Sequence, residues 1–234
     1  METKVNSNAK RTAIKVSLVA VISLLLLIPL VMIKGVIEDR EQTKDSVKME
    51  VANSYAMSQT VSAPYLVSYV VETKTVDKKI EPSGKQSYVE DYDSYCSQVD
   101  YVADVETDVL HRSIYDVIVY NSKVKICGKL PITEKSVVAR DNEFRFKVTD
   151  IKGFNNPSQL TFGSQTFELH RKSDEFVAEV VFPKEAKAGD IIDFAFTFDL
   201  KGTESLSFNP SRDGNTTVAI SSSYPHPSFQ GAML

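Results

Sequence analysis

The sequence predicts a mainly β protein on a membrane anchor: an N-terminal transmembrane helix with a helical stem, then an antiparallel β-sandwich-like extracytoplasmic domain. Three observations predict it. Residues 16–33 carry no charge. Beyond Pro64, apolar side chains recur at every second position in several short runs, the period of a half-buried strand. No long amphipathic helix interrupts those runs, and many short strands separated by turn signals favour a sandwich.

The uncharged run reads V-S-L-V-A-V-I-S-L-L-L-L-I-P-L-V-M-I, bounded by Lys15 and Lys34. Eighteen helical residues rise ~27 Å, close to the ~30 Å hydrocarbon core of a bilayer. The two lysines can snorkel across the remainder. Pro29 lies inside the run, where membrane helices tolerate it. Lys4, Lys10, Arg11 and Lys15 precede the span against Glu2 alone, while basic and acidic residues mix from Lys34 to Asp45. The positive-inside rule therefore leaves the N-terminus in the cytoplasm and sends the rest across. The run exceeds the 7–15 apolar residues of a cleaved signal, and Lys34-Gly35-Val36-Ile37-Glu38 offers no small-x-small cleavage site. An uncleaved signal-anchor is expected: a cytoplasmic tail at 1–15, a transmembrane helix at 16–33, a juxtamembrane helix at 34–60 and a β-rich domain at 61–234.

From Gly35 to about Ser58 the chain has no proline and sets Val47, Val51 and Tyr55 four apart on one helical stripe. Ala63-Pro64 is expected to stop this helix, since a residue before proline avoids the α region. Tyr65 to Val71 is rich in β-branched and aromatic residues. Pro82-Ser83-Gly84 reads as a turn. Ile114 to Ile126 is strand-like, and Phe144, Phe146 and Val148 alternate with Glu143, Arg145 and Lys147. The clearest strand is Ile192 to Leu200, bracketed by Gly189-Asp190 and Lys201-Gly202. Phe176 to Phe182 and Thr216 to Ser221 add further strands.

The 234 residues carry a net charge of −4, and the roughly 200 beyond the span suffice for one sizeable domain. Mild acidity argues against a nucleic-acid partner, which calls for a basic face. Cys96 and Cys127 are the two cysteines. In an oxidising compartment they could pair, closing a loop of about 30 residues worth ~3–4 kcal/mol in the chain-entropy model. The alternative is two buried thiols.

His111, His170 and His226 lie far apart without metal-ligand spacing, and no C-x-x-C, phosphate loop or G-x-S-x-G occurs. No metal, cofactor or catalytic residue is expected. Between Tyr88 and Asp108 stand Glu90, Asp91, Asp93, Asp100, Asp104, Glu106 and Asp108 with no basic residue. Without an ordered cation loop, this reads as the solvated acidic face of a hairpin. Asn215-Thr216-Thr217 fits the glycosylation triplet. In Tyr224-Pro225-His226-Pro227-Ser228-Phe229 two prolines fix the backbone around one histidine. The segment is either a rigid turn presenting Tyr224 and Phe229 to the core, which the physics favours, or a recognition loop.

Ser223 to Gly231 resembles the S-W-P-H-P-S-F-x-G signature of the CreD family of bacterial inner-membrane proteins. Leu24 to Ile37 is similar to that family's anchor and membrane exit. Ser62-Ala63-Pro64-Tyr65-Leu66-Val67 is similar to the opening of its soluble domain. His111-Arg112-Ser113-Ile114-Tyr115-Asp116-Val117-Ile118-Val119-Tyr120 resembles its R-R-G-I-Y-E-V-x-V-Y strand. Here Tyr224 replaces the usual Trp and Ser113 a Gly. Family members are about twice as long, with further membrane helices, so an incomplete member is expected. The resemblance implies an inner-membrane protein supporting envelope integrity or stress tolerance, with a periplasmic domain and unidentified envelope partners. No reaction or catalytic residue transfers with it. The expected function is non-enzymatic binding or scaffolding. The alternatives are a hydrolase or transferase acting on an envelope substrate through His226, and a ligand-sensing domain.

Overall fold

The computed structural model describes residues 2–76 and 84–231. The chain divides into two compact units, 1–49 and 50–234. Helix α1 (Glu2–Ser54) runs unbroken for 53 residues with Pro29 inside it. An 18-residue window has mean hydropathy 3.0 and none of it is buried. The large apolar side chains from Ile14 to Ile37 are all exposed. The helix is long and apolar enough to cross a membrane.

The second unit is built from strands β1 (Gln59–Val61), β2 (Tyr65–Val76), β3 (Gly84–Tyr95), β4 (Gln98–Arg112) and β5 (Tyr115–Pro131). The short helix α2 (Glu134–Val138) follows. Then come β6 (Asp141–Lys147), β7 (Phe154–Asn155), β8 (Leu160–Phe162), β9 (Gln165–Phe167) and β10 (His170–Lys172). The last are β11 (Glu175–Val180), β12 (Ile191–Thr203), β13 (Leu206–Phe208) and β14 (Asn215–Ser222). One sheet has the order β10-β11-β6-β2-β3; the other has β14-β4-β5-β12-β8-β9, with β7 also on β12.

The alternation in the sequence builds the core between these sheets. On β6, Phe144 and Phe146 turn inward while Arg145 and Lys147 turn out, and on β12 Phe194, Phe196, Phe198 and Leu200 turn inward. Ring centroids meet across the layers: Phe144 to Phe194 at 5.1 Å and Phe146 to Phe196 at 4.7 Å. Such offset and tilted contacts suit aromatic quadrupoles. The architecture is the mainly β, two-layer one expected. Pairing is antiparallel except for β14 on β4 and β1 on β13, which are parallel.

Three expectations are corrected in detail. The stem helix ends at Ser54, short of Ser58 and ten residues before Pro64. Its end is set by the β domain: the buried Gln59 donates through Nε2 to Asp150 O (2.9 Å) and Lys201 O (3.0 Å), and its Oε1 accepts from Asp150 N. Ser58 Oγ donates to Thr203 O and Met57 N to Asp150 Oδ2. These bonds draw residues 57–61 into extended pairing, so the juxtamembrane segment at 55–60 is not helix. The acidic stretch is not one hairpin face. β3 pairs with β2 and β4 with β5, so Glu90, Asp91 and Asp93 belong to one sheet and Asp100 to Asp108 to the other. Of the two readings left open for the cysteines, the structure has the unpaired one: both are free. Cys96 is buried, while Cys127 lies on the outer side of β5 next to the inward Ile126. Cys127 stands opposite Asp100 on β4, whereas Cys96 lies in the buried corner before β4 begins. The third correction, at Tyr224 and Phe229, follows with the site itself. The turn expected at Pro82-Ser83 lies outside the described residues. Ser113, at the β4–β5 turn, has φ 57, a left-handed conformation that favours glycine.

Candidate functional site

The proline-framed segment leaves the end of β14, and Ser223 fixes its point of departure. Ser223 N donates to Val105 O at 3.0 Å, and Thr107 N donates to Ser223 Oγ at 2.9 Å. Tyr224 N donates to Ser222 Oγ at 3.1 Å. β14 thus stays in register with β4 up to Ser222, and the chain turns away immediately afterwards.

Beyond this clamp, Pro225, His226, Pro227, Ser228 and Phe229 are all exposed, and Tyr224 is half-buried. Phe229 is 74% exposed. The expected rigid turn facing the core is therefore overturned. The cause is position: among the described residues β14 is an edge strand with both faces largely open, and none of them forms a second layer over the loop that follows it. Phe229 is thus a large aromatic held in water two residues beyond Pro227, on a backbone that Pro225 and Pro227 stiffen.

The structure does not gather the three histidines. His111 sits at the end of β4 with Nδ1 2.5 Å from Asp116 Oδ1, His170 opens β10, and His226 lies in the exposed loop. Among the described residues, no three His, Cys, Asp or Glu side chains come together as a metal site. Asp100 and Asp104 are partly answered by β14: Thr217 Oγ1 donates to Asp100, and Ser221 Oγ donates to Asp104 at 2.7 Å. Thr217, the hydroxyl residue of the glycosylation triplet, is thereby engaged, and exposed Asn215 opens the strand.

Two polar constellations escaped the sequence reading. On the outer face of β2, β6 and β11, Glu143 pairs with Arg145 and, at 2.7 Å, with Lys172. Arg145 also reaches Glu175 at 3.3 Å and the Tyr69 hydroxyl, and Tyr65 donates to Glu175 at 3.0 Å. Burial pushes the Glu143 carboxyl upward, but Lys172 and Arg145 outweigh it and the net shift is downward. Burial, then the facing Glu175, push the Tyr65 phenol up to about 12. An open cavity of about 410 Å³ beside Tyr69, Glu143 and Lys172 adjoins this network. Its charges are already mutually paired, which suits holding the sheet more than turning over a substrate. The second constellation joins Lys135 to Glu72 at 2.7 Å, with the ammonium 4.3 Å from the Tyr92 ring centroid. The Lys135 hydrogen bond, then Tyr92, hold Glu72 down at about 2. Its members come from β2, β3 and α2. The only advance signal for either group was the charged alternation on β6.

Comparison with known proteins places residues 11–234 on the model of one family, described as inner membrane protein CreD. No curated protein and no solved structure matches the chain.

Proposed function

The chain belongs to the CreD family of inner membrane proteins, and from that membership we propose that it is a non-enzymatic envelope protein acting by recognition. The N-terminal tail lies in the cytoplasm, α1 crosses the inner membrane, and the β domain works in the periplasm. The basic excess before the span supports this orientation. The β domain supports envelope integrity by binding partner proteins through residues 224–229. The observation that carries this reading is the exposure of Phe229 at 74% on a loop stiffened by Pro225 and Pro227 and clamped at Ser223. Enriched, rigid aromatics of this kind anchor binding interfaces.

The test is complementation of a deletion strain, scored by survival under envelope stress such as detergent with chelator. Phe229→Ala and His226→Ala are each expected to reach the membrane folded and to lose protection. Loss with His226→Ala but not with Phe229→Ala would point to chemistry at the imidazole instead. Retention of protection by both would remove the loop from the function. A phosphatase fused after Gly231 is expected to be active, and an inactive fusion would reverse the topology.

A further inference from the structure

Among the described residues, β14 is an edge strand with none of the usual protection. Its eight residues, N-T-T-V-A-I-S-S, contain no charge and no proline, and its register to β4 runs without a bulge. Natural sheets blunt their edges with such devices, because an open edge recruits another strand. Among the described residues, β14 pairs with β4 alone.

Backbone direction along the strand can be assigned. Asn215 N donates to Ser97 O and Ser223 N donates to Val105 O. In a regular strand such donors alternate, so residues 215, 217, 219, 221 and 223 address β4. Thr216, Val218, Ile220 and Ser222 therefore present their N–H and C=O groups to the open edge. Val218 and Ile220 stand beside the buried Tyr101 and Ala103 on the core side, yet they remain 46% and 37% exposed.

We propose that the partner of this edge is a second copy of the same strand, paired antiparallel about a two-fold axis at Ala219. It deepens the reading of the β domain as a binding module by naming one partner. Centring at Ala219 sets Val218 opposite Ile220, Ile220 opposite Val218, Thr216 opposite Ser222 and Ser222 opposite Thr216. All four outward-facing residues then exchange hydrogen bonds. Centring at Val218 or Ile220 would leave one of the four unmatched. The core-side pairs are both β-branched aliphatics, a favourable cross-strand combination. The outer face brings Thr217 against Ser221, and Ala219 against itself in a close non-hydrogen-bonded pair.

Charge permits the arrangement. The nearest carboxylates, Asp100 and Asp104 on β4, already accept from Thr217 and Ser221. Across the joined sheet the two β4 strands would be separated by three strand spacings, roughly 14 Å. That exceeds the Debye length of ~8 Å at physiological salt. The neutral β14 strands act as spacers between two acidic faces.

Cross-linking of the full chain in membranes tests the register. Opposed α-carbons in a non-hydrogen-bonded pair lie ~4.5 Å apart, within disulfide reach. Ala219→Cys in a Cys127→Ser background, with Cys96 buried, is expected to give a covalent dimer of twice 26.1 kDa on mild oxidation. Thr217→Cys or Ser221→Cys alone would place its thiols roughly 13 Å apart and is expected to give little dimer. The two variants coexpressed should cross-link to each other. Val218→Pro, which removes an edge donor without touching the β4 ladder, is expected to suppress the Ala219→Cys dimer. No dimer with Ala219→Cys, or equal yields at 217, 219 and 221, would overturn the proposal. Phe229→Ala is expected to leave cross-linking unchanged, so failure of the pairing and failure of the loop's role are read separately.

Discussion

A Cβ on Gly202 would stand 2.2 Å from the hydroxyl oxygen of Tyr120, its direct partner across the β5–β12 ladder. Tyr120 is buried and donates that hydroxyl to Ser205 O at 2.8 Å. The glycine is the space in which the phenol lies. Gly202→Ala is expected to lower stability by about 2–3 kcal/mol through overpacking. Tyr120→Phe should cost about 1 kcal/mol by losing the hydrogen bond. Combining Gly202→Ala with Tyr120→Ala should cost less than the sum, because the clash disappears with the ring. Thermal unfolding of the unsubstituted protein, Gly202→Ala, Tyr120→Ala and the double variant in detergent closes this cycle, and strict additivity would contradict the contact.

Glu143 makes stability depend on acid. Its carboxyl lies below the ordinary 4.5 in the folded protein because Lys172 and Arg145 outweigh burial. A depressed folded value adds stability that is complete above about 4.5 and disappears as pH falls through the lowered value. Glu143→Gln is expected to cost about 2–3 kcal/mol near neutrality, less than for a fully dry pair, since the Glu143 and Arg145 side chains keep 10% and 18% exposure. The variant should also show a flatter decline below pH 4.5. Chemical denaturation at pH 7 and pH 3 reads both effects. An unchanged acid limb would assign the acid sensitivity elsewhere.

Ser122 has the opposite character. Its buried hydroxyl has no hydrogen-bond partner among the described residues, and its ladder partners are Val105 and Leu200. Leaving such a group unsatisfied costs about 1–3 kcal/mol. Ser122→Ala is therefore expected to stabilise the domain by about 1 kcal/mol, seen as a higher denaturant midpoint with an unchanged slope. A drop in the midpoint would mean that the hydroxyl is in fact satisfied.

The free cysteines should differ in reactivity. Burial pushes the Cys96 thiol up to about 12, whereas Cys127 is half-buried on the outer face. The thiolate is the reactive species. One thiol per folded chain is expected to react readily with a disulfide reagent, and two after denaturation. Electrophoretic mobility should be the same with and without reductant. A chain that offers no thiol until reduced would restore the disulfide.

Period-two alternation made the central strands legible in advance. Ile192 to Leu200 and Phe144 to Phe146 show their buried face directly, because burial on a strand is a local property of every second residue. Partnership is not local. Nothing in Asn215 to Ser222 announces that it pairs in parallel with a strand 117 positions earlier. The acidic run from Glu90 to Asp108 likewise gives no sign that its halves enter different sheets. The stem's end was hidden for the same reason, since Gln59 meets its partners at Asp150 and Lys201. The loop at 224–229 was visible by composition, but two prolines around a histidine, with aromatics outside them, are compatible with a core turn and with an exposed loop. Only the edge position of β14 decided between them.

Between β3 and β4 the chain changes sheets within Cys96 and Ser97. The corner is dense: Ser211 Oγ donates to Cys96 O, Ser97 N to Lys129 O and Asn215 N to Ser97 O, and a Cβ on Gly214 would meet Cys96 O at 2.3 Å. Strands of both layers therefore hang from one short hinge. Peeling either layer from its neighbours would drag this hinge out of place and strip the other of its support. The β domain should accordingly unfold as a single cooperative unit, with neither sheet surviving as a partly melted intermediate.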